Sequence, residues 1–109
     1  MPHDDLVTLE NVRRALSDTI ARMRPATAEE EALKDDLVAK RDAIAAEKDR
    51  LIEMQFQGSI LGLDGAWSEI EGACGRLKVA ADRIETTKKV IEIAGRALAL
   101  VAKAAAKIA

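Results

Sequence analysis

Between Pro25 and Gly58 the chain contains neither proline nor glycine, and across that stretch Leu33, Leu37, Ile44 and Leu51 recur at steps of four and seven. A strand has a side-chain period of two and cannot gather these residues on one face, whereas an α-helix does so directly. Thr27 opens the stretch with a hydroxyl that can cap the backbone N–H of Glu30, whose carboxylate can reach back in a T-x-x-E capping box. Glu29, Glu30 and Glu31 then sit where the helix dipole favours negative charge. The spacing predicts a helix over about 27–57, close to 45 Å long at about 1.5 Å per residue. In a chain of 109 residues, everything else must fold along that rod.

An earlier helix is expected over about 5–24. Asp4 or Asp5 can cap it, and Leu6, Leu9, Val12, Leu16, Ile20 and Met23 form its stripe. Glu10 stands four residues ahead of Arg14, the favourable order for a helical ion pair, and Arg24-Pro25 ends the element. Beyond Gly58 the sequence Gly-Ser-Ile-Leu-Gly-Leu-Asp-Gly-Ala reads as a connector, with Asp64 as N-cap of a short helix over about 64–74. Gly72 and Gly75, each costing about 1 kcal/mol relative to Ala inside a helix, mark either a kink or a point where another backbone comes close. The last helix is expected over about 76–108. Ile70, Leu77, Ile84, Ile91, Leu98 and Ala105 are spaced by seven, with Ala73, Ala80, Thr87, Ala94, Val101 and Ile108 three further on, a coiled-coil-like pattern. Asp82, Glu85, Lys89, Glu92, Arg96, Lys103 and Lys107 line the opposite side.

Helix lengths then set the expected layout. Broken near Gly75, the last helix matches the second, and the two form an antiparallel hairpin with the connector at one tip. From Val90 onward the last helix gains a second apolar face of Val90, Ile93, Ala97, Leu100 and Ala104. A helix needs two such faces where it meets two neighbours. The first helix is therefore expected to lie over the N-terminal half of the second, beside the C-terminal half of the last. The resulting fold is all-α: one domain over 1–109, an antiparallel bundle of three main helices with a short one at the connector.

Composition excludes several chemistries. Cys74 is the only cysteine and His3 the only histidine, so an internal disulfide, a zinc knuckle and a two-His metal site lack their residues, and a His-based triad would have to rely on a histidine at an N-terminus expected to fray, off any rigid scaffold. With 17 Lys and Arg against 19 Asp and Glu, the net charge is −2, against the basic balance of a nucleic-acid binder. The longest uncharged run, Met54 to Leu63, is half a membrane span, and the N-terminus lacks the basic-then-apolar order of a signal peptide. A cytoplasmic protein with no catalytic residue, cofactor or metal is expected.

The functional expectation comes from the hairpin tip. Leu51, Met54, Phe56, Ile60, Leu61, Leu63, Trp67 and Ile70 cluster there, with Val79 close by, and a two-helix tip has little room to bury them. Exposed apolar surface of this kind marks an interface, and Trp is favoured at binding hot spots. The chain thus reads as a non-enzymatic interaction or oligomerisation module whose partner is itself or another protein. Two other readings compete. The C-terminal helix, with Arg96, Lys103 and Lys107 on one stripe, has the pattern of a helix lying on a membrane surface. The second helix, with nine acids against five bases over 27–57, suits a small immunity, adaptor or regulatory protein that binds a basic partner.

Overall fold

A computed structural model describes residues 5–77 and 83–107. His3, Asp4, Val79, Ala80, Asp82 and Ile108, and with them positions 78–82 of the expected last helix, lie outside the described residues. Every regular element among those described is helical: α1 (Asp5–Arg22), α2 (Ala28–Glu53), α3 (Leu63–Arg76) and α4 (Arg83–Ala106). The fold is all-α, as the stripes require. At about 1.5 Å per residue, the 26 residues of α2 span about 39 Å and run nearly the full 43 Å length of the molecule.

Both ends of α2 have a clear local cause. Thr27 accepts a hydrogen bond from the Glu30 N–H at 3.1 Å. The Glu30 carboxylate reaches one residue past the cap, to the Ala26 N–H at 3.2 Å. At the other end the helix stops four residues short of the expected 57. The Phe56 N–H donates to the Leu51 carbonyl and the Gln55 N–H to the Ile52 carbonyl, with Gln55 at φ 55°. That is a Schellman closure, in which a left-handed residue turns the chain and the last carbonyls are satisfied locally. Phe56 packs back on the core beside Leu51. Glycine is the usual residue at such a turn, and its absence hid the stop.

The layout differs from the expected one. The chain forms two helical hairpins, α1 with α2 and α3 with α4, packed side by side so that α1 lies along α3 and α2 along α4. Cross-links fix the directions. Lys48 meets Glu10 at 3.0 Å between α2 and α1, and Arg96 meets Glu69 at 2.8 Å between α4 and α3. Lys88 of α4 pairs with Glu29 of α2 at 3.4 Å, start to start. Asp5 of α1 bonds Ile60, just ahead of α3, and Thr19 of α1 bonds Cys74 of α3; both links join residues 55 apart, as two parallel helices in register would. The main neighbours of α1 are therefore α2 and α3, where the sequence suggested α2 and the C-terminal half of α4.

The seven-residue spacing explains the difference. It runs unbroken from Ile70 to Ala105, yet α3 and α4 fold back on one another between Leu77 and Arg83. A repeat on both sides of a reversal does not reveal the reversal. Within α4 the core takes Thr87, Val90, Ile93, Ala94, Ala97, Val101 and Ala105, whereas Ile84, Ile91 and Leu98 are only half-buried. The second face of α4 is real, but it serves contacts with α3 and α2. Gly72 and Gly75 are exposed on α3 with no atom near where a Cβ would stand, so neither marks a close crossing.

The core itself is continuous. Leu9, Val12 and Leu16 of α1 meet Leu37, Ile44 and Leu51 of α2, with Leu63, Ala66, Ile70 and Ala73 of α3 and the small face of α4. Burying each large aliphatic side chain contributes roughly 1.5–3 kcal/mol. Alanine on α4 and α3 lets the two hairpins come close without large aromatic fillers.

Candidate functional site at the connector end

The connector, residues 54–62, crosses one end of the bundle and is folded into it. The Ile60 N–H donates to Oδ2 of Asp5 at 2.9 Å, and both residues are buried. Asp5, one of the two residues expected to cap α1, uses its carboxylate to tie the first turn of the helix to the connector. No local pattern announces this bond, because its partners are 55 positions apart. Gly62 then starts α3 at φ 90°, a left-handed conformation suited to glycine, and a Cβ there would stand 3.3 Å from Leu100. Asp64 lies one residue inside α3, so Gly62 takes the capping position expected of it.

This arrangement overturns the expected bare tip. Of the eight residues read as an interface, Leu51, Ile60, Leu63 and Ile70 are buried in the chain's own core. Met54, Phe56 and Trp67 are half-buried and pack against it. Leu61 alone stands out, 91% exposed. The room the sequence failed to foresee is supplied by α1, which lies against the connector.

What remains exposed is still concentrated at one end. Among the described residues, the exposed large apolar side chains are Leu61, Val7 in the first turns of α1 and Ile52 in the last turn of α2, the latter two about half exposed. All three elements begin or end at the connector. Beside Leu61 runs a groove of about 360 Å³, walled by Phe56, Ile60 and Leu61 on one side and by Leu100 and Ala104 of α4 on the other. Lys103 and Lys107 stand on its rim, and no carboxylate among the described residues lines it. Both lysines are exposed and form no ion pair among the described residues, whereas Arg96 is committed to Glu69. The basic stripe read from the sequence is thus divided, with two charges free and one engaged. Asp49 and Glu53, both exposed near the end of α2, add the opposite sign to the same end of the molecule.

No family model, curated protein or solved structure matches the chain.

The opposite end offers a smaller cavity of about 120 Å³ between α1, α3 and α4. Its hydroxyls are engaged within the fold: Thr19 bonds the Ala15 carbonyl at 2.8 Å and Thr87 the Arg83 carbonyl at 2.7 Å. Burial pushes the Cys74 thiol above its ordinary value, the reverse of what activates a nucleophile. Among the described residues no three His, Cys, Asp or Glu side chains are grouped to hold a metal ion. No described helix is long and apolar enough to cross a membrane. The acids of α2 are partly neutralised by the chain's own cations, Glu29 by Lys88, Asp42 by Arg41 and Glu47 by Arg50.

Proposed function

We propose that the chain is a non-enzymatic helical interaction module, cytoplasmic in setting, that docks through its connector end onto a second copy of itself. The concentration of exposed Leu61, Ile52 and Val7 at the connector end carries this reading, because apolar side chains grouped at one surface mark an interface where a single exposed leucine would not. Ile52 and Val7 extend the apolar surface at that end. An isologous contact requires one patch to be its own complement. Exposed Asp49 and Glu53 on α2 with exposed Lys103 and Lys107 on α4 supply both signs around the apolar residues. Light scattering across a concentration series tests the reading. The wild-type chain is expected to approach twice the monomer mass at high micromolar concentration, and Leu61→Asp to return it to monomer with unchanged helicity. A wild-type monomer throughout would overturn self-docking and turn attention to another protein as partner.

A membrane-surface role is the second reading, supported by the free Lys103 and Lys107 beside Leu61. Co-sedimentation with anionic vesicles, at low and at physiological salt, tests it; no binding at either salt discards it.

A further inference from the structure

We propose that the groove between the connector and α4 is a binding site for a single anionic amphiphile, an acyl chain ending in a carboxylate. The inference concerns one copy of the chain and does not depend on self-docking.

Two properties of the groove point to that ligand. Its walls are apolar over most of their extent, made by Phe56, Ile60, Leu61, Leu100 and Ala104. Among the described residues its charged lining has one sign only, Lys103 and Lys107, four residues apart and so one above the other at the end of α4. Neither ammonium has an anionic partner among the described residues, although acids are plentiful elsewhere on the surface. The complement of such a groove is an apolar body with an anionic head. Its volume of about 360 Å³ falls within the roughly 300–1,000 Å³ of small-molecule sites.

The groove is also held open by features of the backbone. The Schellman turn at Gln55 sends Phe56 back toward the core, and the Asp5–Ile60 bond fixes the connector's far side. Gly62 leaves the Leu100 side chain in place, where any Cβ would press on it. A ligand would therefore meet a wall already formed and would not have to order a loose loop.

Nuclear magnetic resonance titration of the full chain with octanoate, decanoate and dodecanoate, each below its micelle concentration, tests the proposal. Saturable shifts are expected at Gly58, Ser59, Leu61 and Lys103. Affinity should rise about fourfold per added methylene until the groove is full, the factor expected for burying one methylene. Decanol, with the same body and no charge, should bind at least tenfold more weakly than decanoate. Lys103→Glu combined with Lys107→Glu, both at exposed positions, should keep the fold and lose at least tenfold in decanoate affinity. Equal affinity for decanol and decanoate would overturn the proposal, as would shifts spread through the core or a charge-reversed variant that binds as wild type. Co-sedimentation with phosphatidylserine vesicles, without saturable decanoate binding, would overturn it in favour of a membrane surface. Self-association is read separately by light scattering, and Ile52→Asp distinguishes the two: it changes an exposed residue of the docking surface that does not line the groove, so decanoate should bind it as it binds wild type even where the dimer is lost.

Discussion

Gln55 occupies a backbone position that an L side chain seldom adopts, at φ 55°. The left-handed conformation costs a non-glycine residue about 1–2 kcal/mol, partly offset in glycine by its greater freedom in the unfolded chain. Gln55→Gly is therefore expected to stabilise the protein by roughly 0.5–1 kcal/mol, seen as a higher urea midpoint at unchanged slope. Asp5 makes the opposite case. Asp5→Ala would leave the buried Ile60 N–H without its acceptor, a loss of about 1–3 kcal/mol by chemical denaturation. Asp5→Asn, which keeps an acceptor oxygen, should recover part of it. Neither residue was legible for its role. Asp5 has the composition of an N-cap and Gln55 that of a helix interior, and only the surrounding fold gives them other work.

At the scale of the element, local chemistry was a good guide. The stripes of α1 and α2 appear where the spacing puts them, and the Thr27 cap forms as its sequence implies. Ion pairing was less legible, because it depends on which helix lies alongside. Glu10 was paired in the sequence with Arg14; in the structure it also holds Arg13 at 2.6 Å and Lys48 of α2 at 3.0 Å. Hydrogen bonds from Arg13 and Lys48 hold its carboxyl far below the ordinary value of 4.5. A carboxylate whose folded value is depressed contributes stability above its unfolded value, and that contribution fades as the pH falls toward the folded one. The stability difference between wild type and Glu10→Gln should accordingly be constant at neutral pH and shrink as the pH drops below about 4.5, measured by urea titrations at several pH values. A difference that stays flat down to strong acid would remove this cluster from the interactions that join α1 to α2.

For the whole molecule, the sequence specified helices and left their arrangement open. The expected docking of α1 on the C-terminal half of α4 rested on the second apolar face of α4, which a neighbouring α3 satisfies equally well. Deleting residues 1–24 discriminates between the two layouts. Because α1 packs on α2 and α3, hydrogen exchange in the truncated chain should rise first around Leu51, Ile60 and Ile70, and later in 90–107. The reverse order would restore the original layout. The candidate site was half legible: the connector was identified correctly as the apolar end, but most of its large side chains turn inward, since α1 closes over the tip.

The bond between Asp5 and Ile60 has a topological consequence. Ile60 also lines the groove reached by Lys107, so the first turn of α1 and the last turn of α4 lie at the same end of the bundle. A short flexible linker could join these two points into a closed ring without crossing the core. The ring could then be reopened at the far end, between Arg22 and Ala28, where the link from α1 to α2 is exposed at most positions. Such a circular permutant should keep all four helices and their pairing, checked by circular dichroism and a cooperative thermal transition. Native order would then reside in how the two hairpins stack, and the chain could begin at either end of the bundle.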